Sequence, residues 1–497
     1  MFFKLAVSFF RFEFFLGLCY NVFDRIKNSE IRKGNAMRSF LLQEKTVAKA
    51  DVGMNNDTVK KIWHGFGFTE TELELSEGEK NTFVIGDAAI PALPEGKEYA
   101  ISVTESGAAV RGCCYGGLMR GFFDLAMQIE PDYSEGGALS IPPMEKTDSF
   151  KLGRRMIHIC IFAESDRLKI KKLIRLAGAL QYTHVVLEFW GTYKYDCLPE
   201  AGWDGSYTKD EVRELVAEIR EMGMEPIPMI NHLGHAAGAR MAGGKNAVLD
   251  QNPKLHRLFM PDGWSWNVFN PEVRELLRKM RSELYELFGK TEYFHAGLDE
   301  AYMFAVVPAL RAKIPDYLAE ITREISAEGR RPMLWMDMFL PPESKTPHVC
   351  RCTEAEMYDF LAKISPDTVL VDWHYYTKEA PLTTSEYLSE RCDFDIVTAP
   401  WHEEKNIEAC ADTAIDLGLH GFMMTTWHSM FRYAPAILHA ARRCGAAKSS
   451  WSDSCAHGFH YTETATLLRK LSFEGANSYE DAGWVSREIM DNVGIHM

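Results

Sequence analysis

The chain has 497 residues, 46% hydrophobic and 25% charged, the composition of a globular protein with room for more than one domain. Its 70 acidic residues against 55 Lys and Arg give a net charge of −15, which disfavours nucleic acid and anionic membranes as partners. The 11 cysteines show neither a disulfide framework nor a paired CxxC zinc motif, so reduced thiols and a cytoplasmic location are expected, with secretion as the alternative.

In chain order, the apolar runs Leu5–Phe10 and Phe14–Phe23 are separated by Arg11 and Glu13, and no small-residue cleavage site follows. The segment is too interrupted for a transmembrane helix. Residues 1–36 are therefore expected to be a flexible, dispensable prefix. Residues 37–149 read as a small α+β domain. Strands are predicted at Asn81–Ile85 and Glu98–Val103, and a helix at Gly116–Ile129 with Leu118, Phe122, Leu125 and Ile129 on one face. Ile141-Pro142-Pro143 marks the boundary.

Residues 150–445 alternate regularly. Strands are predicted at Met156–Ile161, His184–Phe189, Glu225–Ile230, Tyr293–Ala296, Met333–Met336, Thr368–Trp373, Asp395–Ala399 and Gly421–Thr425. Helical patterns lie between them. Thr208 and Glu211 form a capping box with Gly223 beyond the helix end, and Asn270-Pro271 opens another helix. Eight strands separated by helices predict a (β/α)8 barrel. An open doubly wound sheet is the alternative, but no GxGxxG follows an early strand to support a dinucleotide fold. Residues 446–497 are expected to form a helical tail.

Active sites of this barrel fold sit at the C-terminal ends of the strands. The fourth strand runs into Tyr293-Phe-His-Ala-Gly-Leu-Asp-Glu300, where Gly297 turns the chain and two adjacent carboxylates, Asp299 and Glu300, follow. A solvated acidic loop is the bland alternative. The other strand ends carry Glu188 with Phe189 and Trp190, Asn231 to His235, Trp335 and Asp337, then Trp373 to Tyr376, Trp401-His402 and Trp427-His428. Any one Trp reads as rim packing. Several at one end, around carboxylates, point to a sugar site, because aromatic faces stack on the C–H faces of pyranose rings. His232, His235, His295 and Asp299 form a candidate metal set, but the spacing is not HExxH and no Cys joins it, so no metal or cofactor is expected. No GxSxG elbow offers a Ser nucleophile.

These residues resemble glycoside hydrolase family 20, the β-N-acetylhexosaminidases. The family's His-x-Gly-Gly-Asp-Glu pattern is similar to His295-Ala296-Gly297-Leu298-Asp299-Glu300, with Leu298 in place of the second Gly. Pro228 to His235 resembles its third-strand segment ending Gly-His. The Leu233-Gly234-His235 form, Glu188 and Trp335-Met336-Asp337-Met338 are most similar to the hexosaminidase D branch. The resemblance covers about Arg155 to Trp427. The family's Arg after the first strand has no match, since Phe162-Ala163-Glu164 stand there and Arg154 and Arg155 lie at the strand's other end. Its tyrosine after the seventh strand is His402 here, with Tyr375 or Tyr376 as the replacement, and His428-Ser429 stand where a carboxylate is usual.

The resemblance implies a retaining exo-acting enzyme for terminal β-linked N-acetylhexosamine glycans, in which the substrate's 2-acetamido oxygen attacks C1. It implies Glu300 as acid/base and Asp299 as partner of the acetamide. Glu188, His235, Trp335, Asp337, Trp373, Tyr375, Trp401 and Trp427 are then expected to bind substrate. Glu300 is expected to have a raised pKa and Asp299 to stay ionised. A non-catalytic amino-sugar-binding barrel, or a barrel drifted to another glycoside, is the alternative.

Overall fold

A computed structural model describes residues 38–473 apart from 163–164, 190–191, 203–204, 237–238, 241–244, 247–248, 250–251, 428–433 and 450–460. Trp190, Ala163, Glu164, His428, Ser429 and residues 1–36, all singled out above, lie outside the described residues.

The first domain is built on a six-stranded sheet. Its strands run in the order Glu72–Glu77, Lys45–Ala50, Thr82–Gly86, Gly107–Gly112, Tyr99–Thr104 and Met144–Thr147, antiparallel except for the first pair. Lys45–Ala50 alternates strictly, with Thr46, Ala48 and Ala50 turned inward. The helix Asn56–Phe66 starts where Asn55 accepts hydrogen bonds from the amides of Asp57 and Thr58, and it buries Ile62, Trp63 and Phe66. A second helix, Tyr115–Met127, packs on the same sheet, with Phe122 against Phe83 at 4.9 Å between ring centroids.

The second domain is a closed barrel of eight parallel strands in sequential order: Arg155–Cys160, His184–Glu188, Glu225–Met229, Tyr293–His295, Arg331–Trp335, Val369–Trp373, Asp395–Ala399 and Gly421–Thr426. The first two are buried at every position, as strands covered on both faces must be. The helices between them start where the sequence places their caps. Thr208 and Glu211 exchange both capping-box bonds, and the Asn270 side chain accepts from Glu272 N with Pro271 in the first turn. The open doubly wound alternative is ruled out by closure between the first and eighth strands.

The domains are clamped at the end of the barrel remote from the acids. Arg155, 2% exposed at the start of the first strand, donates to both carboxylate oxygens of Glu98 at 2.9 and 3.2 Å. Arg120 holds the same carboxylate and donates to Gly223 O. The described part of the tail, the helix Tyr461–Lys470, packs against helices Asn56–Phe66, Arg167–Ala179 and Ala434–Arg443, and Lys470 Nζ donates to Phe66 O at 3.1 Å. Among the described residues no helix is long and apolar enough to cross a membrane.

Candidate active site

The turn after the fourth strand carries unusual backbone geometry. Gly297, Leu298 and Glu300 all take positive φ, at 69°, 100° and 51°, and His235 on the neighbouring turn takes 50°. Non-glycine residues held there cost on the order of 1–3 kcal/mol each and persist only where the surroundings over-determine them. Here the surroundings are close-packed. A Cβ on Gly297 would collide with the Asn231 side chain, and one on Gly234 with the backbone oxygen of Asp299. The amide of Glu300 is held by Asp337 Oδ2 at 2.9 Å. The two turns therefore interlock, and they bring His235 onto the acids.

His235 Nε2 lies 3.0 Å from Glu300 Oε2 and 3.4 Å from Asp299 Oδ2. Asp299 is 5% exposed and its Oδ1 is buried with no hydrogen-bond partner. Burial pushes its carboxyl well above the usual range, against the pull of His235, with Asp337, Glu188 and Glu300 adding repulsion. Glu300 is more open. Burial raises it, but hydrogen bonds from His235 and Tyr302 outweigh that and hold it below the ordinary value. His235 is pushed up to about 9, because the two acids outweigh its burial. Asp337, buried and facing Glu300, is pushed up to about 7, chiefly by burial. The expected order of the pair is thus corrected. In the free barrel Asp299 is raised and Glu300 lowered, because Asp299 is the deeper and His235 bonds more closely to Glu300.

Around the acids stands a wall of aromatic rings. Trp373 stacks on Tyr375 at 4.6 Å and donates from Nε1 to Asp337 Oδ1 at 3.3 Å. Trp427 donates from Nε1 to Tyr375 Oη at 2.6 Å, and Trp401 lies 5.6 Å from Tyr375. Tyr376 points away, 77% exposed, so of the two candidate tyrosines only Tyr375 belongs to the wall. His402 packs on Trp401. Two expected substrate residues sit beneath this wall. Trp335 is fully buried against His158, His295 and Trp427. Glu188 is 1% exposed, accepting from Asn231 Nδ2 at 2.6 Å and bonded to His158 Nε2 at 2.8 Å. Both form the floor of the site, because their strand positions point into the barrel below its rim. A cavity on the side of the second and third strands reaches Glu188, Asn231 and His235 between Phe189, Tyr193 and Trp266.

The candidate metal set does not converge. His232 turns outward, bonded to Ile230 O and facing Arg281 Nη1 at 3.3 Å, while His295 accepts from Gly297 N and packs at a tilt against Trp335. Burial, aided by Arg281, lowers His232 to about 3. Only His235 meets Asp299. Three residues of the site, and one behind its wall, were missed from sequence. His158 sits in an otherwise apolar strand, and Tyr302 lies two residues past Glu300, both readable signals in hindsight. Trp264, 4.5 Å from the His235 ring, and His348, 3.9 Å from the Trp373 ring, come from loops with no local pattern.

Residues 163–353 match the family model described as glycosyl hydrolase family 20, catalytic domain. A β-hexosaminidase of Emericella nidulans is 25% identical over 221 residues, which is 38% of this chain and 36% of that protein, so the match spans about a third of the relative. Among solved structures, a Streptomyces plicatus N-acetyl-β-hexosaminidase superposes with a TM-score of 0.61 at 14% identity, covering 88% of this chain and 93% of that one. A Bacteroides fragilis β-N-acetylhexosaminidase gives 0.58 at 17%, covering 90% and 96%. A Flavobacterium johnsoniae chitobiase gives 0.59 at 14%, covering 92% and 73%. At these identities the structural likeness speaks for the fold.

Proposed function

Because the barrel belongs to glycosyl hydrolase family 20, we propose that this protein is a retaining exo-acting β-N-acetylhexosaminidase that removes terminal β-linked N-acetylhexosamine with the help of the substrate's own acetamide. The observation that carries this reading is the adjacent pair Asp299 and Glu300, joined through one atom, His235 Nε2, beneath an aromatic wall.

Two proton positions matter. The acetamide oxygen attacks C1 while the glycosidic oxygen leaves, so Glu300 must deliver a proton to the leaving group. Asp299 must be ionised to balance the N–H of the forming oxazolinium ring. In the free barrel the shifts run the other way, Asp299 raised and Glu300 lowered, and His235 links the two. Substrate that places its N–H against the unpartnered Oδ1 of Asp299 favours ionisation there. The released proton passes to His235 Nε2 as His235 gives its own to Glu300. The net change is one proton moved from Asp299 to Glu300 with His235 unchanged. In the second step ionised Glu300 takes a proton from water, whose oxygen opens the ring at C1 with net retention. The three groups titrate as a unit.

Sugar binding falls to Trp373, Tyr375, Trp401 and Trp427 as the stacking wall, with Asp337 holding both Trp373 and the Glu300 amide. Glu188, His158 and Trp335 support them from below. We propose a reducing, cytoplasmic setting, since the nine described cysteines form no disulfide and Cys113 and Cys114 are exposed thiols. A panel of aryl β-glycosides with and without the 2-acetamido group tests the activity. Cleavage confined to the acetamido sugars is expected, and equal cleavage of β-glucosides or β-galactosides overturns it.

A further inference from the structure

Behind Trp373, on the outer side of the sixth strand, lies a polar cluster that the proposed chemistry does not use. One ligand-capable atom from each of His348, Asp372 and His374 lies within 4.8 Å of the others, and all three residues are buried, at 5%, 0% and 1% exposure. From this cluster we infer a structural binding site for one zinc ion, independent of the proposed glycosidase activity.

Each member is oriented as a metal ligand is. His374 Nδ1 is bonded to Thr377 Oγ1 at 3.1 Å, which leaves Nε2 toward the cluster. Asp372 Oδ2 accepts from the hydroxyls of Thr384 and Ser385, each at 2.6 Å, which leaves Oδ1. The backbone of Trp373 hydrogen-bonds the His348 ring, while His348 Nε2 is buried without a partner. A partner on the far atom of every ligand is how metal sites fix tautomer and direction. His348 Nε2, a buried imidazole nitrogen that makes no hydrogen bond, is costly without a cation, and Asp372 Oδ1 has only the His374 ring nitrogen, 3.3 Å away.

Charge and spacing agree. Burial, with His374 beside it, lowers His348 to about 4, so its ring is neutral and its lone pair free at physiological pH. Asp372 is ionised: burial would raise it, but His374 and the Ser385 and Thr384 hydroxyls hold it below the usual range. Ligands at the zinc bond length of about 2.0–2.1 Å in tetrahedral array stand roughly 3.3 Å apart. His374 Nε2 and Asp372 Oδ1 are already at 3.3 Å, so only the His348 side has to close in. His374 Nε2 also touches Thr384 Oγ1 at 2.5 Å; zinc displaces that contact as the ring takes its Nδ1–H tautomer toward Thr377. Two imidazoles and one carboxylate form a borderline nitrogen and oxygen set, which suits zinc over calcium or magnesium, with a water completing the four-coordinate shell.

The test is metal content of the full-length protein made with zinc supplied and passed through a mild chelator. About one zinc per chain is expected, kept by Asp299→Asn and by Glu408→Gln at the unrelated surface group Glu404, Glu408 and His439, and lost from His348→Gln and Asp372→Asn. Wild-type protein refolded without metal should regain thermal stability on adding zinc and show tetrahedral visible absorption with cobalt. That arm needs no variant, so it decides the matter even if His348→Gln folds poorly. Metal-free wild type whose melting is indifferent to zinc would leave only a hydrogen-bonded His–Asp pair and overturn the site. Full zinc retention in His348→Gln would overturn it as well.

Discussion

His235 Nε2 stands 3.0 Å from Oε2 of Glu300, and the approach depends on His235 holding a left-handed backbone at φ 50°. The imidazole is raised from 6.5 to about 9 in the fold. A raised basic group contributes stability that is fully present below its unfolded pKa and lost as pH climbs through the folded one. The window is therefore about pH 6.5 to about pH 9. Denaturant titrations of wild type and His235→Gln should show a stability difference that shrinks by on the order of 3 kcal/mol across it. Asp337, a carboxyl raised from 3.8 to about 7, gives up its contribution as pH rises between those values, and it is present in both proteins. A difference constant from about pH 6 to about pH 10 would show that His235 is not held as a cation by the acids.

Leu298 gives a prediction of unusual sign. Its side chain is fully buried, yet its φ of 100° is one that only glycine adopts freely. Truncating a buried Leu to Ala costs about 2–5 kcal/mol, and Ala keeps the backbone strain. Leu298→Gly loses the same packing but relieves roughly 1–2 kcal/mol of strain. Glycine should therefore be the milder substitution here, reversing the usual order, with melting temperature as the readout. Leu298→Ala proving the more stable variant would mean that the turn is not strained in solution.

The barrel was legible because its signal is periodic. Each of the eight apolar strands lies within about two residues of its predicted bounds, and the caps at Thr208 and Asn270 are where their side-chain chemistry puts them. The first domain was less so. Lys45–Ala50 and Glu72–Glu77 are six-residue strands with charged outer faces, too short and too polar to separate from loop by pattern alone. In the site, Asp299 and Glu300 could be found because they are adjacent in sequence. Their order of ionisation could not, because it depends on depth and on a histidine 65 residues away. His348 and Trp264 come from loops, where no period marks which side chain turns inward.

The aromatic wall can be tested residue by residue. Trp373→Ala removes a stacking face and frees Asp337 Oδ1, which holds the Glu300 loop through its other oxygen. Trp427→Ala removes a face and leaves the Tyr375 hydroxyl without its donor. Each should weaken binding of a competitive amino-sugar inhibitor by roughly 1–3 kcal/mol, from the apolar area no longer covered. Trp373→Ala should lower kcat in addition, because Trp373 is bonded to Asp337, which holds the Glu300 amide. Normal inhibition constants in a variant that melts early would assign that Trp to packing.

The two acids should fail in different ways. Glu300→Gln removes the proton donor, so bond breaking should suffer most with poor leaving groups, by about 10²–10⁴-fold, while for an activated phenol that step is slowed little and ring opening without the base becomes limiting. Asp299→Asn removes the partner of the acetamide. Ring closure then limits every substrate, so good and poor leaving groups should slow alike. A thiazoline that mimics the cyclic intermediate should also lose affinity for Asp299→Asn, because binding of such a mimic reports stabilisation of the reacting state. Azide separates the cases further. An outside nucleophile can trap the ring where Glu300 no longer activates water, so Glu300→Gln should be rescued on activated substrates and Asp299→Asn should not. If the two variants shared one leaving-group dependence, or if the thiazoline bound both equally, the acetamide would not be the nucleophile. Glu188 and Asp337 would then be the carboxylates to test in its place, Asp337 first, since Glu188 is already tied up in the floor by His158 and Asn231.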